Sequence, residues 1–133
     1  MSKIAAALLF STIVVISSGS GAQASPRAPL STKEIKQSVS SGKKTIIFFL
    51  NPYGNPCRKQ NEILTALQND RKNKFNIAYV SATEQESRQA FYDYGVRGLP
   101  TVVLVDSEGT ISKVFPPGIQ SYETLASALD GAK

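Results

Sequence analysis

The sequence contains no histidine and a single cysteine, Cys57. The first absence excludes Ser-His-Asp and Cys-His catalysis, together with His-ligated metal sites. The second excludes an intramolecular disulfide and leaves one thiol that is either buried and inert or directed at another molecule. No metal site and no cofactor are expected from these residues. Apolar runs are short: Ile4 to Ile16 spans thirteen residues, fewer than the roughly 20 needed to cross a bilayer. Runs of positive charge are missing as well. Lys33, Lys36, Lys43, Lys44, Arg58, Lys59, Arg71, Lys72 and Lys74 are scattered, with no interleaved aromatics. That pattern speaks for a solvated face and against a nucleic-acid partner.

What is present begins with an export signal. Lys3 supplies a short positive region, Ile4 to Ile16 an apolar one, and Ala22-Gln23-Ala24 a small-residue cleavage site. This reads as a secretory signal peptide over residues 1–24, cut after Ala24, with no stable membrane anchor afterwards. The expected location is periplasmic or secreted. The remaining 109 residues, 25–133, suffice for one small domain. Without Lys3, 14 basic residues face 10 acidic ones, a surplus of about four charges that keeps a small domain soluble.

Residues 25–30 are Pro-rich and polar and are expected to form a flexible lead-in to a domain over 31–133. Ser31-Thr32-Lys33-Glu34 has the form of a capping box, with Ser31 as N-cap and Ile35 and Val39 following at helical spacing. Ile46 to Leu50 is apolar, β-branched and aromatic, which predicts a strand buried on both faces. Asn51-Pro52-Tyr53-Gly54-Asn55 is turn chemistry, and Pro56 suits a first helical turn. Ile63, Leu64 and Leu67 continue that helix to Asn69-Asp70. Phe75 to Val80 predicts a second strand. Thr83-Glu84-Gln85-Glu86 is a second capping box, before a helix carrying Ala90, Phe91 and Tyr94 and stopping at Gly95. Thr101 to Val105 and Thr110 to Phe115 predict two more strands about the turn Asp106-Ser107-Glu108-Gly109. A last helix begins at Ser121. A β-α-β unit followed by a β-hairpin demands both parallel and antiparallel pairing. The expected fold class is α/β, a central mixed four-stranded sheet flanked by helices.

Three segments make the chain resemble the thioredoxin superfamily. Phe48-Phe49-Leu50 through Pro56-Cys57-Arg58 is similar to the family's strand and active-site turn. Gly95-Val96-Arg97-Gly98-Leu99-Pro100-Thr101 is similar to its second signature, and Asp106 to Gly109 with Gly118 and the final helix to its hairpin and last helix. The resemblance spans about residues 31–131, and an exported chain of this kind resembles the periplasmic thioredoxin-like proteins. It implies a thioredoxin-like fold and thiol–disulfide chemistry. It also implies a cis proline at Pro100 beside the active-site turn.

The resemblance equally exposes a departure. Aligned on Pro56-Cys57, the tetrad reads Gly54-Asn55-Pro56-Cys57, so Cys57 matches the second cysteine of the family motif. The first falls at Gly54 or, counted from Phe48-Phe49, at Tyr53, and neither is a thiol. The buried carboxylate that the family places on the preceding strand would fall near Ile47. Cys57 is therefore either a thiol filling space beneath Pro100 or a monothiol, the candidate catalytic residue, that forms mixed disulfides with a client, a partner thiol or disulfide protein, or a second copy of the chain. If it is an enzyme, it is a thiol–disulfide oxidoreductase acting through a single cysteine. The alternative is a non-catalytic module that pairs an extended peptide with the Leu99–Pro100 backbone, with Tyr53, Gly54, Asn55 and Pro56 bordering the same groove. Arg58 and Lys59 are expected to be solvated surface.

Overall fold

The computed structural model describes residues 25–133. The signal-peptide reading of 1–24 lies outside the described residues. The elements follow as α1 (Lys33–Val39), β1 (Thr45–Leu50), α2 (Asn55–Asp70) and β2 (Asn76–Ser81), then α3 (Arg88–Asp93), β3 (Thr101–Val105), β4 (Ile111–Val114) and α4 (Tyr122–Gly131). They build one mixed sheet in the order β2-β1-β3-β4. β1 runs parallel to β2 and antiparallel to β3, and β4 is antiparallel to β3. The expected α/β architecture with four strands and flanking helices is the one observed.

Alternation along the central strands assigns each layer. Ile46 and Phe48 of β1, with Val102 and Leu104 of β3, meet Leu64 and Leu67 of α2 and Leu125 and Leu129 of α4. Ile47 and Phe49, with Val103 and Val105, meet Ile35 from α1 and Ala90 from α3. Both faces are covered, which is why the strand sequences are continuously apolar instead of alternating. On the α1/α3 side the Phe49 ring lies 5.2 Å from Phe91 in the edge-on arrangement that aromatic quadrupoles favour, and 5.4 Å from Tyr94 in a tilted one.

Local chemistry fixes the ends. Oδ1 of the buried Asp106 accepts from the N–H groups of Glu108 and Thr110 at 2.9 and 3.0 Å, which closes the β3–β4 turn. Gly109 stands there at a φ of 83°, in the region that glycine enters without penalty. Ser121 caps α4, its hydroxyl accepting from the Thr124 N–H at 3.2 Å.

Neither expected capping box forms. At α1 the N-cap is Thr32, which accepts from the Ile35 N–H at 3.1 Å. Glu34 instead accepts from the Tyr79 N–H on the edge strand β2 at 3.0 Å, and Ser31 donates to Asp93. An edge-strand donor without a neighbouring strand is a stronger claim on that carboxylate than its own helix end. At the second box the Thr83 hydroxyl pairs with Ser81 at 2.8 Å, and the chain makes a short 3-10 turn, Gln85–Ser87, before α3.

The lead-in is not loose. Arg27 bridges Thr110, the Ala28 N–H donates to Gly109 O at 2.9 Å, and Ile111 N–H donates to Pro26 O at 2.9 Å. Ala28 is buried. The Tyr94 hydroxyl adds a bond to Pro29 O at 2.8 Å. The segment serves as an extra partner for the hairpin, a role invisible in its Pro-rich composition. Burial, and secondarily the charge of Asp93, pushes the Tyr94 hydroxyl well above the ordinary tyrosine range.

Candidate functional site

The site is built where β1 passes into α2. Asn51 Oδ1 accepts from the Tyr53 N–H at 3.0 Å, and Asn51 O accepts from the Gly54 N–H at 3.0 Å. These two bonds reverse the chain. Gly54 is the N-cap of α2, in extended backbone, and its carbonyl accepts the first helical bond from Arg58 N–H at 3.1 Å. Pro56 occupies the first turn, where a missing N–H leaves no helical bond unmade. One residue later Cys57 points inward, because Cys57, Gln60, Leu64 and Leu67 form the buried stripe of the helix.

Cys57 is only 3% exposed and belongs to the core cluster of Ile46, Phe48, Leu64, Phe115 and Leu125. Its Sγ accepts from the Asn51 N–H at 3.4 Å, so the sulfur satisfies the first backbone donor after β1. Tyr53 is 83% exposed, Asn55 and Pro56 are exposed, and Gly54 is half-buried. Arg58 and Lys59 are exposed, as expected.

Placing the family's strand carboxylate near Ile47 needs correction. Ile47 lies on the α1/α3 face, away from the sulfur. The β1 residues on the Cys57 face are Ile46 and Phe48. Both are apolar, so no carboxylate on this strand serves the thiol.

Two further loops complete the site. The Leu99–Pro100 peptide bond is cis, Pro100 is buried, and Leu99 packs against the Cys57 cluster. Thr101 Oγ1 donates to Gly98 O at 2.6 Å. Gly118 N–H donates to Pro100 O at 2.9 Å, and a Cβ built on Gly98 would meet Pro117 Cβ at 2.9 Å. The loops around Pro100 and Pro117 therefore interlock, and glycine at 98 is what lets them approach.

Sequence reasoning missed the residue that ties these loops to the helix. Gln60 is fully buried, and its amide grips the backbone of Gln120 from both sides. Gln60 Nε2 donates to Gln120 O at 3.2 Å, and Gln60 Oε1 accepts from the Gln120 N–H at 2.6 Å. A signal existed: Gln60 is a polar residue within the spacing Cys57, Leu64, Leu67. Its partner, a backbone in a distant loop, left none. A hollow of about 690 Å³ between β4 and α4, lined by Lys113, Glu123 and Thr124, contains none of these residues. The site is marked by its chemistry and not by depth.

Comparison with known proteins agrees with this geometry. The thioredoxin family model matches residues 27–130. A thioredoxin-like protein from Clostridium perfringens is 27% identical, with a TM-score of 0.62 over 68% of this chain and 71% of its own. Fasciola hepatica thioredoxin is 19% identical, with a TM-score of 0.62 over 74% and 91%. A thiol:disulfide interchange protein of the thioredoxin family from Chlorobium tepidum TLS is 21% identical, with a TM-score of 0.60 over 73% and 83%. With a family model that takes in nearly all the described residues, on a mixed four-stranded sheet flanked by helices, the chain belongs to the thioredoxin family.

Proposed function

We propose that this protein binds extended peptide segments of a client protein beside Pro100 and does not cycle electrons on its own. One observation carries the reading: the sole thiol is buried with its sulfur on the Asn51 N–H, while position 54 offers no sulfur at the helix start. A disulfide exchanger needs an accessible thiolate to attack and a second thiol to release the product. The peptide edge needs neither. Among the described residues neither the N–H nor the C=O of Leu99 is engaged in a backbone hydrogen bond. Those two groups suit pairing with an added strand, and the Tyr53 ring, in the turn that leads to Cys57, is exposed and free for apolar contact. The features of residues 1–24 support export to the periplasm or the exterior.

A second reading keeps Cys57 as a monothiol working through a partner thiol or disulfide protein. It is favoured by the Asn51 N–H held against the sole sulfur at 3.4 Å. A Cys57-linked homodimer would need the buried sulfur of both copies brought to the surface, and non-reducing electrophoresis tests for it. The decisive experiment pairs insulin reduction in excess dithiothreitol with peptide titration followed by amide NMR. The binding reading expects wild type and Cys57→Ser to reduce insulin no faster than dithiothreitol alone, with peptide shifts centred on Leu99, Thr101 and Tyr53 in both. Insulin reduction that requires Cys57 would overturn it in favour of the monothiol.

A further inference from the structure

At the pole opposite the Cys57 turn, lysines that are scattered in sequence converge. Lys43 and Lys44 precede β1, Arg71 and Lys74 follow α2, and Lys133 follows α4. All five line one cavity of about 380 Å³, within the size range of small-ligand sites. Its floor is apolar, made by the buried Phe75 and Leu129. Lys43, Lys74 and Lys133 are solvated, as expected, but they gather about one cavity that their sequence positions did not suggest.

Part of the charge has a structural use. α2 and α4 both end here, and each helix C-terminus carries roughly half a negative charge. Lys44 Nζ donates to Leu129 O at 2.6 Å, in the last turn of α4. Lys43 Nζ donates to Asn73 O at 3.4 Å, just beyond α2. Arg71 pairs with Asp130 at 3.1 Å, the one salt bridge among the described residues, and Asp130 is the only acidic side chain lining the cavity. Two helix ends and one carboxylate balance about two of the five positive charges. Lys43, Lys74 and Lys133 are left exposed with no carboxylate partner. Three ammonium groups from three segments of the chain, above an apolar floor, match a group that concentrates two or more negative charges. A lone carboxylate brings a single negative charge and would leave most of that surplus unbalanced.

We propose that this cavity binds a phosphate-type polyanion, held by Lys43, Lys74 and Lys133. The chemistry is shared by a soluble phosphate ester and by a phospholipid headgroup. The proposal is independent of the peptide edge and of Cys57. The test uses inorganic pyrophosphate against sodium chloride of equal ionic strength, read as the thermal midpoint. At ten times the dissociation constant the midpoint should rise by about 6 °C. The triple variant Lys43→Gln/Lys74→Gln/Lys133→Gln should lose that rise, while the control Lys33→Gln/Lys36→Gln keeps it. Lys44 is left unaltered because it serves the end of α4. A second arm measures co-sedimentation with phosphatidylglycerol or phosphatidylcholine vesicles. Pyrophosphate protection without vesicle binding assigns the ligand to a soluble phosphate. Protection together with phosphatidylglycerol binding that the triple variant loses assigns it to a headgroup. No protection, protection that the triple variant retains, or vesicle binding without pyrophosphate protection overturns the site, because a flat basic surface or a general salt effect would explain each.

Discussion

Introducing a cysteine at position 54 should convert the scaffold into one that closes a disulfide. Gly54 has an extended backbone with φ −88° and ψ 134°, which any residue adopts. A Cβ placed there meets Asn51 O at 3.5 Å, Cys57 Sγ at 3.8 Å and Asn51 Cβ at 3.9 Å, all ordinary contacts. In a disulfide the Cβ of one residue lies roughly 3 Å from the sulfur of the other, given an S–S bond of about 2.05 Å. The sulfur must therefore move by somewhat under 1 Å, within reach of a χ1 adjustment or a small shift of the turn. Oxidised glutathione accepts the two electrons: two protein thiols become a disulfide and two molecules of reduced glutathione are released. Closing a four-residue loop removes about 6 cal/mol/K from the unfolded chain, or about 2 kcal/mol. That corresponds to a midpoint about 8 °C higher for the oxidised variant than for its reduced form. Thiol titration in denaturant should find two thiols before oxidation and none after it. Two thiols persisting after oxidation, or a midpoint that falls on oxidation, would refute the geometry assigned to the turn.

Other perturbations test the supports of the site. Gln60→Leu leaves the Gln120 N–H and C=O without their partner and should destabilise by about 2 kcal/mol in urea unfolding, two hydrogen bonds at about 1 kcal/mol each. Gly98→Ala drives a methyl into Pro117 and should destabilise by about 1–3 kcal/mol while broadening the NMR signals of both loops. Tyr94→Phe frees Pro29 and should lower stability by about 1 kcal/mol, with faster amide exchange at Ala28. The Tyr94 hydroxyl is raised in the folded state, so its contribution is complete below the ordinary tyrosine pKa of about 10 and is lost as pH rises towards the folded value. Urea unfolding between pH 9 and 11 should show a steeper alkaline loss in wild type than in Tyr94→Phe.

Most of the fold was legible because its signals are local. Ile46 to Leu50 and Thr101 to Val105 announce strands covered on both faces, and the pairing of a β-α-β unit with a hairpin leaves few sheets to choose from. Capping was less legible, because a side chain near a helix start has competitors elsewhere in the fold. Glu34 serves β2 and Ser31 serves Asp93, and neither partner is near in sequence. The lead-in was misjudged for the same reason: its partners are Thr110 and Gly109. At the site, the first-turn position of Cys57 on a helix followed from Pro56 and the turn residues before it. Its burial, the Gln60–Gln120 clamp and the face occupied by Ile47 needed three dimensions. So did the basic cavity, which joins residues from three parts of the chain.

The central claim is that Cys57 is a scaffold thiol and not an attacking one, and its rate of reaction with a thiol reagent at pH 7 tests this most directly. Burial of the sulfur requires the turn to open before reagent can enter, so native labelling should be about 100-fold slower than labelling in denaturant, equivalent to about 3 kcal/mol of local opening. Native labelling as fast as, or faster than, that of the unfolded chain would contradict the account and make Cys57 a reactive monothiol.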